Sequence, residues 1–136
     1  MKFYLSQRAD KEIEDLAKKP HTKNIRLDIC SFFTDLKSIE NIRNVDETLG
    51  VRGKNTTIKK TRVTNSVIKE KKGGYRLYYI VSELKEVVII SSIYSKKTIT
   101  NYGKEEIKHV FKTANEDIKN GLIQLVDIHK ELKKLA

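Results

Sequence analysis

Apolar residues recur along this chain in two rhythms, one helical and one extended. Lys2–Leu5 reads as a short strand. Ser6 stands where a helix cap would, and Ala9, Ile13, Leu16 and Ala17 then fall at i, i+4, i+7 and i+8, one face of a helix. Pro20 ends that helix. Thr22 is placed to cap a longer second helix, whose face is Ile25, Ile29, Phe32, Phe33, Leu36 and Ile39. Asn44–Asn55, with Gly50 and Gly53, reads as a loop.

The second half changes rhythm. Thr56–Val67 is rich in β-branched residues with charges between them, as in a half-exposed strand. Gly73-Gly74 marks a turn, Tyr75–Val81 a strand and Ser82–Glu86 a short polar turn. Val87–Tyr94 is the most apolar run, so it is expected at the centre of a sheet, joined to Tyr75–Val81 as an antiparallel hairpin. Helix returns after Gly103. Glu105 and Glu106 suit its first turn, and Ile107, Val110, Phe111 and Ala114 form its face. A last helix is expected after Asn120-Gly121, with Leu122, Leu125, Val126, His129 and Leu132 as its stripe. The pattern predicts an α+β fold in the order βααβββα. A small antiparallel-rich sheet carries two N-terminal helices on one face, with helices following at the C-terminal end. The chain reads as one domain over residues 1–136, with 115–136 a helical extension.

Composition narrows the setting. With 136 residues, 38% apolar and 34% charged, the chain can fill one modest core. Its single cysteine, Cys30, lies in an apolar helical run and reads as a core residue. No internal disulfide is possible, which fits a reducing interior. The apolar patch at Met1–Leu5 is too short for a leader, and no run reaches the ~20 apolar residues of a membrane helix. A cytoplasmic location is expected, with no membrane contact.

Charge changes the picture most. The formal net charge is +10, yet residues 51–78 alone hold nine basic residues against one acid, Glu70. Lysines and an arginine stand next to Tyr75, Tyr78 and Tyr79. A positive field beside stacking-capable rings points to a polyanion partner, most simply a nucleic acid. The three histidines, His21, His109 and His129, show no metal-ligand spacing, and no nucleotide-binding glycine loop or Ser/His/Asp arrangement is present. No cofactor or metal is expected.

Three pieces of the second half carry a resemblance. They are Lys59-Lys60-Thr61-Arg62-Val63, Lys71-Lys72-Gly73-Gly74-Tyr75-Arg76-Leu77-Tyr78-Tyr79, and Ile93-Tyr94-Ser95-Lys96-Lys97 followed by Tyr102 and Glu105-Glu106-Ile107. In this order the chain resembles the RelE/HigB-like toxins of bacterial type II toxin–antitoxin systems, over residues 56–114. The central piece is similar to the family's Gly-Lys-Ser-Gly-Gly-x-Arg-Val-x-Tyr pattern. It departs from it at Glu70, where the family has glycine, and at Lys72, where it has serine. The resemblance implies a metal-independent endoribonuclease that cuts messenger RNA, often on the ribosome, and is held inactive by an antitoxin protein.

Such cleavage uses the RNA's own 2′-hydroxyl as nucleophile and leaves a 2′,3′-cyclic phosphate. It needs a base, positive charge for the phosphorane and an acid for the leaving oxygen. Arg76, at the family's arginine position, is the candidate for transition-state charge, since its planar fork suits phosphate oxygens. Lys96 is the candidate acid or phosphate clamp, with Lys97 the adjacent alternative. Glu70 and Lys71 are candidate bases, and Tyr102 is placed to stack on a base or orient the 2′-hydroxyl. Lys59, Lys60, Arg62, Lys69 and Lys72 are expected to track the RNA backbone, and Tyr78, in step with Arg76, to stack on a base. Two other functions use the same charge without cleavage. One is a ParE-like toxin that binds DNA gyrase, the other a plain basic nucleic-acid-binding module.

Overall fold

A computed structural model describes residues 2–36, 41, 47–51, 56–68, 74–82, 86–97, 101–120 and 124–125. Strand β1 (Lys2–Leu5) leads into helix α1 (Gln7–Ala17), a 3₁₀ turn (Pro20–Thr22) and helix α2 (Ile25–Leu36). Strands β2 (Glu47–Val51), β3 (Thr56–Val63), β4 (Tyr75–Ser82) and β5 (Val87–Ser95) follow, then helix α3 (Lys104–Asn120) and strand β6 (Gln124–Leu125). The sheet has six strands in the order β2-β3-β4-β5-β1-β6. It is antiparallel except where β1 lies parallel to β5. The expected α+β fold is the observed one. No helix among the described residues is long and apolar enough to cross a membrane.

Both faces of the sheet are covered. On one, Ala9 and Ile13 of α1 and Ile25, Ile29 and Phe33 of α2 pack on Tyr75, Leu77, Tyr79, Val81, Val88 and Ile90. Phe33 meets Tyr79 edge-on at 5.6 Å between ring centroids. On the other, Val110, Phe111 and Ala114 of α3 cover Ile58, Tyr78, Ile80, Ile89 and Tyr94. This double cover explains why β4 lacks polar alternation: all its residues but Ser82 are buried. Cys30 is buried in the α2 side of the core.

Ser6 caps α1 as expected. Its hydroxyl accepts from the Ala9 N–H at 3.1 Å and donates to the Ser91 carbonyl at 2.9 Å. Thr22 does not cap α2. It is buried, and its hydroxyl donates back to the Leu16 carbonyl, closing the end of α1. The first turn of α2 instead hangs on the Asn24 carbonyl, which accepts from the Asp28 N–H at 2.9 Å.

Three element boundaries differ from the sequence reading. Within the expected loop 44–55, Glu47–Val51 forms β2, an edge strand paired with β3 and irregular between Thr48 and Gly50. An edge strand holding a glycine shows little alternation, so its signal is weak. Strand β3 stops at Val63 rather than Val67. Asn65 reaches the His21 carbonyl at 2.9 Å, and the Ser66 N–H donates to Asp28 at 3.1 Å, which peels the chain off the sheet toward α2. At the C-terminal end α3 runs through 115 to Asn120. Gln124 and Leu125, expected in a helix, pair with Leu5 and Tyr4 as β6, where a free strand edge of β1 wins over helical periodicity. Residues 121–123 and 126–136, the rest of that expected segment, lie outside the described residues.

Candidate nucleic-acid interface

Strand periodicity sorts the basic segment. Lys60 and Arg62 on β3, Arg76 and Tyr78 on β4, and Ser92 and Tyr94 on β5 share the α3 face, with Lys60 opposite Tyr78, Arg62 opposite Arg76, and Arg76 opposite Tyr94. A bulge makes the last pairing possible. Tyr78 faces Ser92 while Tyr79 faces Ile90, so Ser91 is an extra residue in β5. It lets Ile90 and Ile93 both enter the helix-side core, and it turns Tyr94 toward Arg76.

Lys96 completes the cluster. It follows β5 directly, and its backbone N–H donates to the Gly74 carbonyl at 3.0 Å. Lost hydration, then the charges of Arg62, Arg76 and Lys60, hold its ammonium below the usual lysine range. Four cations thus gather where β3 ends, β4 begins and β5 ends. Among the described residues no carboxylate pairs with any of them. Arg62 and Arg76 stand directly opposite, an arrangement of like charges that disfavours the fold locally. Arg76 is only 9% exposed, and its buried Nε has no hydrogen-bond partner among the described residues. A cross-strand arginine pair without a carboxylate partner among the described residues is arranged to take an anion.

Beside the cations lies a tyrosine cluster. Tyr102 stacks on Tyr78 at 5.3 Å and leans on Tyr94 at 4.4 Å, while Tyr78 also meets Phe111 edge-on at 6.3 Å. Tyr78 is 0% exposed, so it is not the base-stacking ring expected of it: three aromatic neighbours already fill both its sides. Burial pushes its hydroxyl well above the usual phenol range. The Tyr78 and Tyr94 hydroxyls are both buried without a hydrogen-bond partner among the described residues.

Lys59 also departs from expectation. It is 2% exposed and sits opposite Tyr79 on the α1/α2 face, because its odd position points it away from Lys60 and Arg62. Lys97 is exposed, and its N–H donates to the Ser95 hydroxyl at 3.4 Å. Of the adjacent pair, Lys96 is the one that feels the cluster. Lys69, Glu70, Lys71 and Lys72 lie outside the described residues. His109 is exposed on α3.

One set of residues escaped the sequence reading. The Glu12 carboxylate accepts from Ser92 at 2.7 Å, from Tyr102 at 3.2 Å and from the Ile93 N–H at 3.3 Å. Arg8 lies 3.6 Å from Glu12, donates to Tyr102 at 3.2 Å, pairs with Glu106 and sits 5.3 Å from the Tyr102 ring centroid. This network fills the gap beyond the end of β1, where the edge of β5 would be bare. Burial raises the Glu12 pKa, and its hydrogen bonds and Arg8 only partly oppose that. Arg8 and Glu12 at i, i+4 beside the apolar stripe of α1 were the available signal. Tyr102, expected at the RNA, spends its hydroxyl here.

Among the described residues no cluster of His, Cys, Asp and Glu could hold a metal ion. Comparisons with protein-family models, with curated proteins and with solved structures find no match.

Proposed function

We propose that this protein is a toxin of the toxin–antitoxin kind, an endoribonuclease that cuts messenger RNA in the cytoplasm without a metal. The observation that supports this most is the unpaired Arg62–Arg76 cross-strand pair with Lys60 and Lys96 beside it. In this reading the scissile RNA phosphate lies on the Arg76 guanidinium. The 2′-oxygen attacks the phosphorus as its proton leaves to a base on the 69–72 segment, Lys71 or Glu70. Arg76 holds the charge that builds on the phosphorane oxygens. Lys96 protonates the departing 5′-oxygen, a task that a lowered lysine pKa favours. The products are a 2′,3′-cyclic phosphate and a 5′-hydroxyl. Lys60 and Arg62 hold the flanking backbone. The same cationic face suits an acidic segment of an antitoxin.

The test is cleavage of messenger RNA, free and on ribosomes, in excess chelator. Cyclic-phosphate ends are the expected result. Binding without cleavage would leave a basic nucleic-acid-binding module in its place. Inhibition of gyrase supercoiling without cleavage would point to the ParE-like reading.

A further inference from the structure

The cationic face also presents a nucleophile. Lys96 starts from a fixed point, since its backbone is bound to Gly74, and the charges of Arg62, Arg76 and Lys60 all bear on its ammonium. Arg76 adds an independent observation. It stands directly opposite Arg62 on the neighbouring strand, and among the described residues no carboxylate pairs with either. Two guanidiniums held together without a counter-charge are a seat for an oxyanion. An amine beside an oxyanion seat is arranged for reagents that carry phosphate on an electrophilic carbon.

We propose that Lys96 is a covalent modification site for acyl phosphates, which the Arg62–Arg76 pair seats by their phosphate group. The lone pair of the uncharged Lys96 amine attacks the carbonyl carbon and forms the C–N bond. The bond from that carbon to the phosphate oxygen breaks, and inorganic phosphate leaves with the electron pair. The proton released from nitrogen passes to water. The arginines stabilise the phosphate as its charge grows. The product is an N-acyl-lysine with one positive charge fewer at the cluster. The lowered basicity of Lys96 supports the step by enlarging the uncharged fraction. None of this depends on RNA cleavage; it needs the anion seat and the amine alone.

The experiment treats the whole chain with acetyl phosphate in mildly alkaline buffer and follows each lysine by peptide mass spectrometry. Lys97, exposed on the same turn, is the internal comparison. Lys96 is expected to acetylate severalfold faster than Lys97. Added inorganic phosphate, or Arg62→Ala at an exposed position, should bring that ratio toward one. So should p-nitrophenyl acetate, which carries no phosphate. The proposal is overturned if Lys96 reacts no faster than Lys97. It is equally overturned if its preference survives phosphate and Arg62→Ala, or is as large with p-nitrophenyl acetate. Circular dichroism of the Arg62→Ala variant separates a lost seat from a lost fold.

Discussion

The Tyr102 hydroxyl donates to the Glu12 carboxylate across 3.2 Å, tying the approach to α3 to the middle of α1. Together with the Arg8–Glu106 pair, that contact joins the helices on opposite faces of the sheet. It also holds the ring against which Tyr78 and Tyr94 pack. The cationic face therefore rests on a polar network behind it.

Glu12→Ala leaves the Ile93 N–H without its acceptor and should cost about 1–3 kcal/mol in urea unfolding. The pH dependence has a definite sign. Burial raises the folded pKa of Glu12, so the folded state binds its proton more tightly than the unfolded state. Its contribution to stability therefore falls as pH rises from the ordinary value of 4.5 through the raised one. The stability of the wild type relative to Glu12→Gln should decline over that interval. A relative stability that climbs with pH would show that Arg8 and the hydrogen bonds outweigh burial.

Much of the fold was legible because its signals are local. The Ala9/Ile13 and Val110/Phe111/Ala114 stripes mark the two helix faces that are buried. The cap at Ser6 and the strands around Tyr75 and Val87 follow from the same kind of reading. What was illegible depends on distant partners. Strand β6 exists because β1 offers an edge, and no periodicity within Gln124-Leu125 announces that. Tyr78 was expected at the surface because its own strand gives no hint that α3 closes over it. Lys59 shows the limit of reading charge runs. Three basic residues in four positions look like one patch, but the pleat sends one of them to the opposite face. The Glu12 network joins residues 80 and 90 positions apart.

Tyr78 offers a direct test of that closure. Tyr78→Ala empties a site walled by Tyr94, Tyr102 and Phe111 and should cost about 3–5 kcal/mol. Tyr78→Phe should be neutral or stabilising by up to about 1 kcal/mol, since the buried hydroxyl makes no sound hydrogen bond. Thermal unfolding distinguishes the two. A Phe variant that folds normally but loses RNA affinity would return Tyr78 to the interface.

Arg76→Ala should lower RNA cleavage about 100- to 1,000-fold while leaving the thermal midpoint level or higher. The rate falls because the phosphorane loses its charge partner. Stability holds because the variant relieves the like-charge pairing with Arg62. Arg76→Lys should not restore activity, as a point charge lacks the planar fork. Cleavage near the wild-type rate in Arg76→Ala would remove the mechanism.

Salt measures how many of the cations touch phosphate. If Lys60, Arg62, Arg76 and Lys96 each neutralise one, affinity for single-stranded RNA should fall with a log–log slope of about −2.8. Arg62→Ala should reduce that slope by about 0.7. A flat response between low and physiological salt, read by fluorescence anisotropy, would mean that these side chains meet no phosphate.

Gly74 links the sheet to the cluster through its backbone. A Cβ there would lie 2.9 Å from the Val63 carbonyl oxygen, closer than real contacts allow, and both parties are main chain. The start of β4 would have to move off β3, and with it the carbonyl that holds the Lys96 N–H. Gly74→Ala should therefore cost about 1–3 kcal/mol and also weaken RNA binding. Gly103 is the control. A Cβ there meets nothing within 4 Å, and Gly103→Ala at the start of α3 should cost at most about 1 kcal/mol with binding unchanged. Paired unfolding and binding curves decide the matter. If Gly74→Ala loses stability but binds RNA as tightly as the wild type, Lys96 does not depend on the Gly74 anchor for its place among the cations.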